Sequence, residues 1–391
     1  MNTSERTTAA IVSLLYFVRM LGLFSILPVF TLAASKLYDS GPMLIGLTLG
    51  IYGLFQALLQ VPYGYLSDRF GRKPMLIAGL SIFIVGSLIA GLAERIEWVL
   101  VGRALQGSGA IAGVLLAVLA DGMRFEYRAR AMAMVGGSIG LAFGGSLVLG
   151  PLLYAFGGLQ ALFYLAALTG TLALLLVCFV LPGASSLAVD PAEGDDASVA
   201  GVASYRLQLQ MLNLSIFMNH YLLMSSFLVI PVMLIQFGVA IDDHAVYYLC
   251  ILLGSFLLML PLVIRWRGSV DILVKILPAI AVMIVGFIIL AWSPTLIVFV
   301  MAVLAFFVGF NYLEATLPAL VSKFAPSARR GSAMGVYSSS QFLGIFAGGG
   351  VGGMLIALTD ITTLLAVNAA LLVFWAAALI ALQRESNSPH L

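Results

Sequence analysis

Charge is scarce in this sequence. Asp, Glu, Lys and Arg make up 9% of its 391 residues, against about 25% in a soluble domain. The net charge is +2, too small to suggest a nucleic-acid partner. Cysteine is nearly absent: Cys178 and Cys250 lie in apolar runs without ligand-spaced neighbours. They read as buried free thiols, which leaves no disulfide framework and no metal site. Histidine occurs at His220, His244 and His390, too scattered for a catalytic or zinc cluster, and no H-E-x-x-H motif is present. A membrane-embedded enzyme would need such a cluster or a nucleophile–base pair, so no enzymatic activity, metal or cofactor is expected. No G-x-x-x-x-G-K-[ST] phosphate loop occurs, which argues against an ATP-driven pump. No cleavable signal is evident either. The first apolar run, 9–34, is too long for a signal core and has Arg19 in its middle.

Apolar surface dominates instead. Hydrophobic residues make up 62%, and mean hydropathy is +1.11. One soluble core could not hide that surface, whereas runs of about 20 apolar residues suit spanning helices. Hydropathy marks twelve: 9–34, 42–66, 75–93, 97–119, 131–155, 159–182, 207–236, 244–264, 272–293, 295–320, 333–357 and 361–382. The fold class is therefore all-α, in a membrane. With the N-terminus inside, fifteen of the nineteen Lys and Arg fall in cytoplasmic segments, two in outer loops and two within spans. This asymmetry orients both termini to the cytoplasm.

The segment 183–206 is small, acidic and poor in apolar residues, and reads as a linker. It divides the chain into six-span halves, 1–182 and 207–391. The halves echo each other: a shift of 200 aligns Arg130, Ala133, Met134 and Gly144 with Arg330, Ala333, Met334 and Gly344. Glycines recur every fourth residue at Gly136, Gly140 and Gly144, and again at Gly344, Gly348 and Gly352. Such a stripe allows close helix approach, either as static packing or as a gating contact.

The densest charge lies in GYLSDRFGRK, where Asp68, Arg69, Arg72 and Lys73 stand within six positions between apolar runs. Gly64 and Gly71 permit a helix end and a tight turn. A basic loop could serve as a topology anchor alone, but an anchor has no need of Asp68.

Gly64, Leu66, Ser67, Asp68, Arg69, Gly71, Arg72 and Lys73, placed between spans two and three, resemble the signature of the major facilitator superfamily. Arg103, Gln106 and Gly107 resemble its R-x-x-Q-G motif in span four. The glycine ladder before Gly150 and Pro151 matches its antiporter motif in part, with Gly-Pro later than usual. FVRMLGLFSILPV, GRALQGSGAIAG and EATLPALVSKFAPSARRGSAMGVYSSSQFLG are similar to the YajR-type drug/proton antiporters over the whole transporter core. Members of that group can carry a soluble domain after span twelve. The sequence reaches only Leu391, so no such domain is expected.

The resemblance implies twelve helices in two pseudo-symmetric six-helix bundles. It also implies that Asp68 faces the start of span eleven and that Arg72 bridges toward Asp121 at the end of span four. A carboxylate at a helix N-terminus gains about 0.3–1 kcal/mol when exposed, and an arginine between two acids forms charge-assisted bonds. The cluster would latch the halves together on the cytoplasmic side.

Four groups inside spans are candidates for proton coupling. Arg103 either snorkels outward or acts in coupling, as its motif implies; a charge within a span is by default functional. Arg19 lies about 15 Å deep by helix rise and should meet an acid or a wet cavity. Glu314 could load and unload a proton, or could form a structural bond to Asn311 or to another helix. His220 titrates near neutrality but could equally be a packing residue. Tyr16, Phe24, Tyr52, Gln56, Gln106, Tyr221, Asn311, Tyr312 and Gln341 are candidates for an apolar, aromatic substrate cavity.

The reading is a proton-coupled secondary transporter working by alternating access. It expects export of drug-like or lipophilic molecules, a monomer, and a bacterial inner membrane. The partners are a small-molecule substrate, protons and the bilayer. The alternatives are transport of a specific polar metabolite, or a non-transporting receptor or scaffold.

Overall fold

The computed structural model describes residues 1–181, 202–266, 269, 271–326 and 330–386. Of the expected linker, 183–201 lie outside the described residues, and 202–206 are already helical. Arg329 and the side chain of Arg330, which belong to the internal repeat, also lie outside them. The expected burial of the two cysteines is corrected: Cys178 is half-buried and Cys250 exposed.

Among the described residues there are thirteen α-helices and no strand. The first six spans are built from α1 (Thr3–Phe24), α2 (Phe30–Ala34), α3 (Pro42–Phe70), α4 (Arg72–Gly91), α5 (Ile96–Ser108), α6 (Ala112–Asp121) and α7 (Phe125–Phe179). The last six are α8 (Val202–Gln236), α9 (His244–Arg265), α10 (Ile272–Ala291), α11 (Leu296–Phe324), α12 (Arg330–Leu358) and α13 (Ile361–Ser386).

Local chemistry sets these boundaries. At the start of α1, Asn2 and Glu5 exchange side-chain and backbone hydrogen bonds of 2.7 and 2.8 Å. This capping box satisfies two otherwise orphaned N–H groups. Span one is two helices, α1 and α2, separated by a turn that contains Pro28, which has no N–H to continue the ladder. Span four is likewise split, into α5 and α6, around Gly109. Spans five and six run on as α7, bent where Gly157 leaves helical angles and Gly158 takes φ 65°, a backbone state that side chains disfavour. Among the described residues, eleven helical runs are therefore long and apolar enough to cross a membrane, α5 and α6 counting together, and the bend in α7 turns one of them into two spans. Before α13, Asp360 accepts a hydrogen bond from the N–H of Thr363 at 2.6 Å, which holds its carboxyl below the usual range.

The structure corrects the expected boundaries where they matter most. α3 runs to Phe70 and α4 starts at Arg72. Asp68 and Arg69 thus lie in the last turn of one helix, Arg72 and Lys73 in the first turn of the next, and the loop is Gly71 alone, with φ 93°.

The two six-span groups meet chiefly along α3 and α12, with further contact between α7 and α9 and between α2 and α8. A Cβ on Gly46 would strike the backbone of Gly349 and Gly353, and one on Gly50 the backbone of Phe346. Toward the Gly71 end this contact is lost. Gly64 on α3 and Gly331 and Gly335 on α12 have nothing within 4 Å of a Cβ position, and neither do Gly136 and Gly140 on α7. The groups are therefore sealed at the end away from Gly71 and splayed at the Gly71 end.

Candidate functional site

At the splayed end, Arg72 organises the charged motif. Its Nε donates to Asp121 Oδ2 at 2.9 Å and its Nη1 to Ser67 Oγ at 2.6 Å, and Nη1 also pairs with Asp68. The predicted Arg72–Asp121 bridge is thus present. Lys73 reaches across to the end of α7, donating to the carbonyls of Cys178 at 2.8 Å and Leu181 at 3.2 Å. A cation there satisfies orphaned carbonyls and opposes the helix dipole, a role beyond topology anchoring. Arg69 lies against the ring of Phe70, 5.6 Å from its centroid.

The expected contact of Asp68 with the start of span eleven is not made in this state. Its side chain is 66% exposed and, among the described residues, bonds only Arg72. The divergence of α3 and α12 at this end is the reason. Nearby, Glu5, buried in α1, receives hydrogen bonds from Arg124 Nε at 2.8 Å and from the Arg124 backbone N–H at 3.2 Å. This tie between α1 and the start of α7 was not expected from the sequence.

Two arginines lie inside the first group; Arg19 corrects the sequence reading, and Arg103 removes one of its two alternatives. Arg19 is fully buried and meets neither an acid nor a wet cavity. Its Nη2 donates to Gln56 Oε1 at 3.2 Å and to the Gly109 carbonyl at 2.9 Å. The break between α5 and α6 takes that carbonyl out of the helical ladder, where it accepts the Ile111 N–H at 2.8 Å as well as Arg19, so the negative end of α5 receives the cation. Arg103 does not snorkel. It is buried, donating to Gln106 Oε1 at 2.9 Å and to the Leu49 carbonyl at 3.2 Å, with its guanidinium 5.2 Å from the Tyr52 centroid. Tyr52 also donates to Gln56 at 3.3 Å, and Gln106 donates to Ser87 at 2.9 Å. Tyr52, Gln56 and Gln106 are therefore buried against the arginines and line no open cavity in this state, while Arg19 Nε and Nη1, Arg103 Nε and Gln56 Nε2 stay without a hydrogen-bond partner. Tyr16 is also corrected, since it is buried and donates to the Ala112 carbonyl at 2.6 Å.

In the second group, α8, α11 and α12 bring several predicted residues together. Glu314 and Phe310 are four apart on α11, and Tyr337 and Gln341 are four apart on α12, so each pair shares a helix face. Both pairs converge on α8. His220 Nε2 is 3.8 Å from Glu314 Oε2 and 2.8 Å from Gln341 Nε2. Its Nδ1 is 3.3 Å from the Ile216 carbonyl, and its ring is 5.7 Å from Phe310. The Glu314 side chain is 37% exposed while His220 is buried. Asn219 and Tyr337 also lie beside Glu314; the sequence reading passed over both. The proposed bond between Glu314 and Asn311 is not formed, because Asn311 donates to Ser255 at 2.8 Å. Tyr221 and Tyr312 are buried, so they line no open cavity in this state.

Phe24 joins an aromatic roof across the two groups. Phe143 on α7 is 5.6 Å from Phe24, 6.4 Å from Phe227 and 6.2 Å from Phe310. Next to it, Thr31 donates to the Phe227 carbonyl at 3.1 Å, and Tyr248 donates to the Pro28 carbonyl at 3.1 Å.

The glycine reading holds only in part. Gly344 and Gly348 press on the α8 backbone at Phe217 and Tyr221, Gly352 meets Leu228, and Gly144 meets Leu252. Gly150, next to Pro151 within α7, presses on Ser25 and Pro28. Gly136 and Gly140 pack against nothing, because α7 has diverged from α9 there. The seam that seals the two groups was missed. Its glycines are Gly46, Gly50 and Gly53 on α3 and Gly349 and Gly353 on α12. The i, i+4, i+7 spacing in span two was a readable signal for it.

Known proteins resemble this chain throughout. The Inner membrane transport protein YajR of Escherichia coli K12 is 38% identical over 381 residues, 96% of this chain and 83% of the relative. Multidrug resistance protein MdtL of Escherichia coli O81 is 30% identical over 181 residues, 45% of this chain and 46% of the relative. The crystal structure of a D-xylose-proton symporter, 14% identical, superposes with a TM-score of 0.77 over 96% of this chain and 97% of the other. The family model of the Major Facilitator Superfamily matches residues 12–349. The chain is a multi-pass membrane transporter and belongs to the major facilitator superfamily.

Proposed function

We propose that this transporter exchanges protons for drug-like or lipophilic small molecules and exports them. It does so as a monomer in a bacterial inner membrane, with both termini in the cytoplasm. In that orientation the splayed Gly71 end is the cytoplasmic one, and the structure is the inward-open half of an alternating-access cycle. One observation carries the reading: Glu314 of the second group, its side chain partly exposed, turns a buried Oε2 without a hydrogen-bond partner to 3.8 Å from buried His220. An ionisable group within a span is a functional site by default, and Glu314 can carry a proton with His220 close enough to receive it after a small approach. Arg19 and Arg103 of the first group bond carbonyls and amides and lie beside rings, although Arg19 Nε and Nη1 and Arg103 Nε find no hydrogen-bond partner, and they support the fold around the cleft. The aromatic roof of Phe24, Phe143, Phe227 and Phe310 suits an apolar cargo. The partial similarity to MdtL, named for multidrug resistance, supports the drug-like class.

The test is proton release in proteoliposomes loaded with a pH-sensitive dye. Addition of a transported compound from a panel spanning lipophilic cations, lipophilic anions and nucleosides should move protons against it. Compound movement without proton movement would defeat the exchange reading. Movement of nucleosides alone would defeat the lipophilic-cargo reading.

A further inference from the structure

The geometry points to Gln341 as a positioning residue that fixes the tautomer of His220 and thereby controls when His220 can accept the proton of Glu314. The inference rests on the coupling role proposed above.

The Ile216 carbonyl can only accept, so its 3.3 Å contact requires a proton on His220 Nδ1. In the neutral ring, Nε2 then carries the lone pair. Gln341 presents its NH2 to that atom at 2.8 Å, so the amide donates and Nε2 accepts. Both ring nitrogens are satisfied, and the pattern is self-consistent for a neutral imidazole only. An imidazolium would turn an Nε2–H toward the Gln341 NH2, donor against donor. Glu314 Oε2 lies 3.8 Å from the same Nε2, outside hydrogen-bond range. Gln341 therefore occupies the lone pair that a proton from Glu314 would need.

The position of Gln341 connects this lock to the transport cycle. The next residue, Phe342, packs on Gly53 and lies 6.1 Å from the ring of Tyr52, across the seam between the groups. On the other side of Gln341, α12 runs into the splayed end, where Gly335 and Gly331 touch nothing. Gln341 thus sits where α12 passes from sealed to free, and closing the Gly71 end must redirect this stretch. When the Gln341 NH2 withdraws, the proton on Glu314 passes to the Nε2 lone pair. Glu314 becomes a carboxylate, His220 an imidazolium, and the new Nε2–H faces the Glu314 oxygen. The titratable groups that face this exchange are Glu314 from α11 and Tyr337 from α12. Tyr221 follows His220 on α8, and Tyr52 of α3 approaches only through Phe342. α13 offers α8 the neutral side chains Asn368 and Trp375.

With three histidines in the chain, nitrogen NMR on ring-15N-histidine protein in proteoliposomes can read this directly, with His220→Gln identifying the signal. The wild type should show His220 as the Nδ1–H tautomer at neutral pH. Gln341→Leu, which removes the donor, should give a mixture of tautomers. Gln341→Glu, which offers an acceptor instead, should give the Nε2–H or doubly protonated ring and move its titration by about one pH unit or more. A wild-type Nε2–H tautomer overturns the inference, as does a titration and tautomer unchanged in both variants. Should Gln341→Leu fail to fold, Gln341→Glu alone decides. Absence of proton movement in the wild-type transport assay would overturn the coupling role without altering the tautomer signal, so the two failures are distinguishable.

Discussion

At the residue scale, the two groups of helices treat charge differently. Arg19 and Arg103 are buried and held by carbonyl and amide oxygens, with no acid beside them. Glu314 keeps more than a third of its side chain exposed beside a buried histidine. Burying a charge is costly unless it is paired, so removing the partners of Arg19 or Arg103 should harm folding first. Glu314→Gln should do the opposite. It keeps the shape of the side chain and its hydrogen-bonding capacity, so the melting temperature should change little. Proton-driven transport should fall at least about a hundredfold, in the range that loss of a proton-transfer group costs.

Asp68→Asn separates a latch from an anchor. The exposed Asp68–Arg72 pair contributes about 0–1 kcal/mol to stability, so denaturation and membrane insertion should be nearly unchanged. Transport turnover should drop severalfold, because Asp68, bonded here only to Arg72 among the described residues, would take a further partner in the closed state. Equal loss of insertion and turnover would indicate an anchor.

At the element scale, the spans were legible because apolar runs of sufficient length have one solution in a bilayer. The breaks were not. Hydropathy cannot see that Gly157 and Gly158 bend one long helix into two spans, or that the break at Gly109 takes the carbonyl that Arg19 needs out of the helical ladder. The charged motif was found at the right place in the chain, and its Arg72–Asp121 bridge is formed. Its helical setting was missed, since scarce apolar residues look like a loop. The glycine ladders illustrate the same limit. Spacing says that helices can approach closely, but not which helices do so in a given conformation.

The α3–α12 seam makes this testable. Gly50→Ala would drive a methyl group into the backbone at Phe346, within 2.7 Å of its carbonyl oxygen, an overpacking that costs about 1–3 kcal/mol. It should open the sealed end and raise labelling of cysteines introduced there. Gly64→Ala on the same helix meets open space and should leave the splayed state undisturbed. Equal labelling of the two variants would mean that the seam is not the seal.

At the scale of the whole molecule, the structure is one of two states that the proposed cycle requires. Tyr65 on α3 and Val336 on α12 are exposed at the splayed end, and spin labels there report its opening. Their distance distribution should gain a shorter population when a transported compound is added or the pH is changed. A single distance under every condition would contradict rocking of the two groups.

The central claim is that Glu314 carries the proton exchanged for cargo. The most direct measurement compares wild type and Glu314→Gln in dye-loaded proteoliposomes, recording proton flux and compound flux together under an imposed pH gradient. The account predicts coupled fluxes in the wild type and, in Glu314→Gln, loss of proton flux with loss of gradient-driven accumulation. Gradient-driven accumulation at the wild-type rate in Glu314→Gln would contradict it.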